Sequence, residues 1–337
     1  MGNNINLISC DSSRRFGVEI ELNAFDLRSR PSGHEFGNLP EGIGYIANLV
    51  QKTVKNKVDI HRWQNNHHND SWILKPDSSC GIEICTPVLK GMAGIKSVCS
   101  VVNSFSTDDF IQADSRCSFH IHVDVNDLKK DDLGAIISWW IKCESVFMDI
   151  VPIKRRKSKY CQMLSFTPIV ESVKNEMYDS GYLINQLGKH KYFTLNTYHM
   201  VNRKRNTIEF RIMDSSCCIS CFDAKNYILL ILHFIKCSLE KKLPCNYKDG
   251  DPFSSYSWLT ITEFLQFLHL DDDENLSEGM KELKFWLYIR LQQNIYNADR
   301  GIFSSECKSN MENTLEKLRP LNHNVFNYDF FHEKFQK

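Results

Sequence analysis

"FGVEIELNAF", residues Phe16 to Phe25, decides how this chain is read. In an extended strand successive side chains point to opposite faces. Phe16, Val18, Ile20, Leu22 and Ala24 then make one apolar face, and Gly17, Glu19, Glu21 and Asn23 make the other. Two glutamates stand side by side. That face either looks at water or lines a site that needs negative charge.

Three further segments repeat the pattern. In "GIEICTPVL", Gly81 to Leu89, the residues Ile82, Ile84, Thr86 and Val88 oppose Gly81, Glu83 and Cys85. In "CSFHIHVDV", Cys117 to Val125, the residues Phe119, Ile121, Val123 and Val125 oppose His120, His122 and Asp124. In "NTIEFRIMD", Asn206 to Asp214, the residues Ile208, Phe210 and Ile212 oppose Glu209 and Arg211. Any one of these strands alone suits an antiparallel sheet with one wet face. The four together favour a site, because a solvated face pairs opposite charges across strands and like charges facing each other are destabilising. Here Glu19, Glu21, Glu83 and Glu209 gather with His120 and His122, and only Arg211 offsets them. On neighbouring strands their mutual repulsion would raise the carboxylate pKa values unless cations enter. Carboxylate oxygens suit Mg²⁺ or Mn²⁺, and a histidine among them leans toward tolerance of Mn²⁺.

The elements mix strands and helices without regular alternation and without repeats, which predicts an α+β fold. Apolar spacing predicts helices over Gly44–Val54, Ile95–Phe105, about Asp131–Val151 and Phe222–Glu240, with Leu27–Leu39 as a loop. From about Ser257 to Lys337 the chain reads as helices joined by the acidic loop "DDDEN", Asp271–Asn275. No Pro/Gly/Ser linker separates this tail. The expected organisation is a catalytic unit over residues 15–243 and a helical region over 244–337 packed on it.

A chain of 337 residues with 42% hydrophobic and 12% aromatic content can bury a sizeable core. Its 41 basic and 41 acidic residues give no overall field toward nucleic acid or a membrane surface, so an anionic partner must be held by a local site. Thirteen cysteines, an odd and scattered number with no secretory signal peptide, predict reduced thiols and a cytoplasmic location. The greasy run Tyr227–Ile235 is too short to span a bilayer. Met1-Gly2 carries Asn6 where a myristoylation motif asks for Ser or Thr. "CCISC", Cys217 to Cys221, lacks the second ligand pair of a zinc site, and "NNHHND", with His67 and His68, reads as a solvated loop. No Gly-rich phosphate loop and no Cys-His pair at a recognisable spacing appears.

In order, FGVEIEL, WILKPDSSCGIEICTPVL, CSFHIHVDV, YFTLN and TIEFRIMDSS resemble the amidoligase family, relatives of glutamate-cysteine ligase and glutamine synthetase. The match covers about Arg15 to Ser216. Each motif is short; their succession, each on a strand, is specific. The resemblance implies a curved antiparallel sheet of the glutamine synthetase/glutamate-cysteine ligase type, with helices on its convex face and ATP and divalent metals, Mg²⁺ or Mn²⁺, on its concave face. By that similarity Glu21 and Glu83 hold one metal near the substrate side, Glu83 also acting as a catalytic group, and Glu19, His120 and Glu209 hold another that bridges ATP phosphates. His122 touches the nucleotide phosphates, Arg211 holds the γ-phosphate as a catalytic group, and Asp77 takes part in metal or substrate binding. Arg155 or Arg156, in "IKRRKSKYC", faces phosphate or a substrate carboxylate; the alternative is a solvated helix C-terminus. The implied activity joins a carboxylate to an amine, small molecule, peptide or protein, through an acyl phosphate. Two other readings compete. One is a metal-dependent hydrolase, which would not need Arg211 beside Glu209. The other is an inactive relative kept as a binding or scaffold protein.

Overall fold

The computed structural model describes residues 13–23, 42–61, 70–167, 180–203, 205–241 and 258–296. Ala24, Phe25, the 27–39 loop, His67, His68 and the tail beyond 296 lie outside the described residues.

The first strand, β1 (Arg15–Asn23), keeps the alternation of its sequence: Phe16, Val18, Ile20 and Leu22 are each no more than 2% exposed. It lies between two antiparallel neighbours. On one side β4 (Gly81–Cys85) sets Glu83 opposite Glu21 and Ile84 opposite Ile20. On the other, β6 (Ser118–Asp124) sets His120 opposite Glu19 and Phe119 opposite Ile20. Next to β6 runs β8 (Thr207–Asp214), with Glu209 opposite His122. The register therefore carries all four sequence motifs onto one face of one sheet, since cross-strand partners share a face.

The sheet extends beyond them. Outside β4 lies β3 (Trp72–Asp77), which sets Lys75 opposite Glu83 and has no counterpart in the sequence-based reading. Its Pro76 is tolerated because β2 (Val58–Ile60), parallel to β3, pairs only with Trp72–Leu74, so the missing N–H falls where β3 has no outer neighbour. Short strands β5 (Leu89–Lys90) and β7 (Leu195–Asn196) pair with β1 and β8. The order is β2-β3-β4-β1-β6-β8-β7, and every pair but β2–β3 is antiparallel.

Two details differ from simple alternation. The predicted strand Gly81–Leu89 ends at Cys85; Thr86 turns to exchange hydrogen bonds with the Val18 backbone, and Val88 is 50% exposed instead of apolar-face core. In β8 a bulge opposes His120 with two residues, Arg211 and Ile212, so that Met213 is the residue facing Phe119 on the apolar side.

Helices cover that apolar side. They include α1 (Ile43–Thr53), α2 (Gly91–Ser106), α3 (Lys130–Asp149), α7 (Ser216–Ile219) and α8 (Cys221–Lys241); the chain also forms α4 (Ile153–Arg156), α5 (Ser180–Leu187) and α6 (Tyr198–Arg203), of which α4 and α6 reach the polar side. α2 starts earlier than its apolar spacing suggests because Gly91 and Gly94 disguise its first turn; a Cβ at Gly94 would lie 2.8 Å from Leu89 Cβ. In α3, Asp132 accepts the Lys129 N–H at 2.9 Å, and Asp131 and Asp132 favour the helix N-terminus. Behind β8, Trp140 stacks on Phe147 at 4.2 Å and meets Phe210 and Phe234 edge-on at 5.0 and 5.5 Å.

Near the C-terminus α9 (Ile261–Phe267) opens with a Thr260–Glu263 capping box, and α10 (Glu278–Tyr296) packs against the same core. There Trp286 donates to Asp223 at 2.7 Å, and buried Arg290 donates to the Ile150 carbonyl at 2.9 Å and bridges to Asp214 at 2.9 Å. Among the described residues no helix is long and apolar enough to cross a membrane.

Candidate active site

The polar face of the sheet floors a cavity of about 920 Å³, whose lining includes Glu19, Glu21, Lys75, Glu83, His120, Glu209 and Arg211. A wall rich in Lys, Arg and Tyr, with Lys154, Lys159, Tyr160, Lys191 and Tyr192, faces this acidic floor. A smaller recess of about 370 Å³ beside Gly17, Thr86 and Pro87 shares Glu19 and His199 with it.

His120 sits at the centre, 1% exposed. Its Nδ1 is 3.2 Å from Glu19 Oε2 and 3.7 Å from Glu209 Oε1, and its Nε2 is 2.7 Å from the Ser118 hydroxyl. Ser118 in turn lies 2.6 Å from Glu21 Oε2. Burial, reinforced by Arg211, brings the His120 pKa down to about 4, so the ring is neutral at pH 7 and carries one proton. Proton counting then allows two arrangements of the chain Glu21–Ser118–His120–Glu19. If Glu21 is protonated it donates to Ser118, Ser118 donates to His120 Nε2, and Nδ1–H donates to Glu19. Without that proton the chain reverses: Ser118 donates to Glu21, and Nε2–H donates to Ser118. The Nδ1 lone pair then faces two carboxylate oxygens with no hydrogen between them. Only a cation fits such a cup, and Glu19, His120 and Glu209 offer ligand atoms within 4.8 Å of one another.

The electrostatics agree with the first arrangement in the absence of metal. Burial, with Glu83 and Asp77 adding to it, raises the Glu21 pKa to about 8 against the Ser118 hydrogen bond. Glu83 is likewise raised, by burial and then by Glu19, although Lys75 Nζ lies 2.7 Å from it and Cys85 S–H donates to it at 3.0 Å. Burial would raise Glu19 too, but His122 and His120 outweigh it and hold that carboxyl well below its usual range. Glu209 behaves in the same way, with Arg211 as the largest opposing charge. Arg211 Nη1 donates to Glu209 Oε1, while its buried Nε has no hydrogen-bond partner.

Glu19, Glu21, Glu83, His120, His122, Glu209 and Arg211 thus converge as their strand faces predict. The two arginines of the basic run separate. Arg155 reaches the cavity wall, yet its Nε donates to the Ile212 carbonyl at 3.2 Å and its Nη2 to the Arg211 carbonyl, so it caps the β8 bulge. Arg156 points elsewhere: it bonds the Val151 carbonyl at 2.9 Å and pairs with Asp149 at 3.0 Å, at the end of α3. That assignment is corrected; Arg156 serves the helix C-terminus and does not line the cavity. Asp77 lines the rim and spends one oxygen on the Ser79 and Cys80 N–H groups, turning the chain into Gly81, whose φ of 127° suits glycine.

Four residues of the site escape the sequence reading. Lys75 lies on the unpredicted β3, and Ser118 is a small polar residue at the start of β6. Asn196, in the "YFTLN" motif, donates to Glu209 Oε2 at 3.1 Å, and His199 Nε2 lies 3.6 Å from the same oxygen. An eye for the short α6 beside the motif could have found His199.

No curated protein matches the chain. Among solved structures it is similar to a bifunctional glutathione synthetase from Pasteurella multocida, at 12% identity and a TM-score of 0.36, covering 84% of this chain and 47% of that one. The chain spans about half the length of that protein, and a likeness so remote carries nothing about function. The family described as "Putative amidoligase enzyme" matches residues 12–230, which include every strand motif of the acidic floor. The chain belongs to this amidoligase family.

Proposed function

We infer that the protein is an ATP-dependent carboxylate-amine ligase with a sheet of the glutamine synthetase/glutamate-cysteine ligase type, its catalytic unit spanning residues 15–243. The observation that carries this reading is the convergence of ligand atoms from Glu19, His120 and Glu209 within 4.8 Å of one another, with the Arg211 guanidinium against them and a basic wall opposite. Such a floor repels anions until cations enter, and such a wall attracts them. The donor set is mostly carboxylate oxygen with one imidazole, which fits Mg²⁺ or Mn²⁺. Glu19, His120 and Glu209 would hold one ion, and Glu21 and Glu83 a second. When bound, the metal would neutralise phosphate charge and ATP would supply the γ-phosphoryl group to the substrate carboxylate with ADP as leaving group, so that the amine could displace phosphate from the acyl phosphate.

The chain's own residues position and stabilise. Arg211, with its Nε unpartnered, can meet charge on the transferring phosphoryl group while Glu209 holds it in place. His122, on the same face, would contact the nucleotide phosphates. Lys75 opposes the burial that raises the Glu83 pKa, and the Ser118 relay holds or releases the proton of Glu21. A hydrolase would have no use for Arg211 at this point, so the ligase reading accounts for more of the site.

The test is twofold. Thermal unfolding should rise with ATP and Mg²⁺ or Mn²⁺ together, beyond either alone. ADP should be released on incubation with a cognate pair of carboxylate and amine. No joint stabilisation at millimolar ligand would count against the ligase.

A further inference from the structure

Beyond the oxygen-rich floor, the geometry points to a separate nitrogen-rich position: we propose that His122, His199 and Glu209 bind a divalent transition-metal ion in preference to Mg²⁺. This rests on the reading of the cavity as a cation site. It does not depend on ligation.

The three residues each offer a ligand atom, and these atoms lie within 4.8 Å of one another. They come from three elements, β6, α6 and β8, held by independent contacts. Asn196 donates to Glu209 Oε2 at 3.1 Å and accepts the Tyr198 N–H at 3.1 Å, which starts α6 beside β8 and brings His199 to Glu209. The two imidazoles pack edge to face, centroids 5.0 Å apart at 81°. His122 Nε2 is buried without a hydrogen-bond partner, and His199 presents Nε2 to Glu209 Oε2 at 3.6 Å while its buried Nδ1 is unpartnered. His122 Nε2 does lie 3.1 Å from Glu19 Oε1, close enough for an ion pair but outside hydrogen-bond alignment. Buried polar atoms are seldom left unpaired without a reason, and a place kept for an ion is one such reason.

Ligand chemistry then selects the ion. Two imidazoles and one carboxylate are a donor set for first-row transition metals, whereas Mg²⁺ prefers oxygen and retains its waters. Neutral imidazoles also add no charge to a face already rich in carboxylates. Glu209 can serve both positions, because its Oε1 faces His120 and Arg211 while its Oε2 faces His199. His122 would then reach a phosphate through the ion instead of directly.

The full-length protein, stripped of metal with chelator, is titrated with Co²⁺ in the absence of nucleotide while visible absorption is followed. Wild type should show ligand-field bands that a hundredfold excess of Mg²⁺ leaves in place. His199→Ala should weaken this binding by about 10- to 100-fold or more, since even outer-shell partners of a metal cost that much. His122→Asn gives a second variant, and thermal unfolding of each checks that it folds. Co²⁺ displaced by equimolar Mg²⁺, or bound equally well by folded His199→Ala, overturns the proposal. Stabilisation by ATP with Mg²⁺, measured on the same preparation, reports separately on the ligase reading, so either can fail alone.

Discussion

Replacing Glu21 by Gln tests the proton that the relay requires. The Glu21 pKa is raised from 4.5 to about 8 in the folded chain, chiefly by burial. Below about pH 4.5 the carboxyl is protonated in both folded and unfolded states and contributes no pH dependence. Between 4.5 and about 8 the unfolded chain ionises while the folded chain does not, so the metal-free protein loses stability as pH rises. At about 1.4 kcal/mol per pH unit the loss is roughly 2 kcal/mol at pH 6 and roughly 4 to 5 kcal/mol at pH 8, as an upper bound. Gln resembles the neutral acid and removes this term. Glu19 and Glu209, whose pKa values are lowered, act with the opposite sign and only below about pH 4.5. His122, raised by Glu19 and Glu209 against burial, adds a loss above its unfolded pKa in both proteins and cancels in the difference. Chemical denaturation in chelator at pH 6 and pH 8 reads that difference directly. Glu21→Gln should exceed wild type by more at pH 8 than at pH 6. Parallel profiles, with no gain at pH 8, would show that Glu21 is already ionised and that the relay runs the other way.

Three further outcomes rest on the same geometry. Arg211→Ala should leave nucleotide affinity largely intact and lower ADP release by about 10²- to 10³-fold, the usual loss for one preorganised charge contact; full turnover with a cognate substrate would refute its role. Phe210→Ala removes a fully buried ring packed on Trp140 and should cost roughly 3 to 5 kcal/mol in denaturant unfolding, whereas a loss below about 1 kcal/mol would mean the core behind β8 can collapse. Ser118→Ala cuts the link between Glu21 and His120: wild-type affinity for Mn²⁺ should rise about tenfold per pH unit below pH 8 as one proton is released, and the variant's slope, by calorimetry, should be flatter.

What was legible in the sequence is what alternation encodes. In β1, β4, β6 and β8 each second residue is apolar, so the faces of Glu19, Glu21, Glu83, His120, His122 and Glu209 could be read without knowing which strands are neighbours. β3 escaped because Lys75, Pro76 and Asp77 interrupt its apolar run; only the pairing with β4 makes it a strand. The bulge in β8 escaped because inserting one residue changes the pairing without changing the local composition. Arg155 and Arg156 are adjacent and chemically alike, yet one caps the bulge and the other caps α3. That choice is set by the helix phase after Pro152, which a run of basic residues does not display.

The charge count of the floor ties these details to the order in which ligands can enter. Glu19, Glu21, Glu83 and Glu209 face only two permanent cations, Lys75 and Arg211, whose pKa values these carboxylates raise against burial. With every carboxyl ionised the floor would be left two negative charges in excess, and keeping the Glu21 proton halves that excess. One divalent ion, admitted as that proton leaves, brings the floor close to neutrality. A second ion then has little charge left to neutralise until a polyphosphate brings its own. ATP without metal meets a negative floor and is attracted by the wall bearing Lys154, Lys159 and Lys191. Metal and nucleotide should therefore bind with positive coupling, each raising the other's affinity by the same factor.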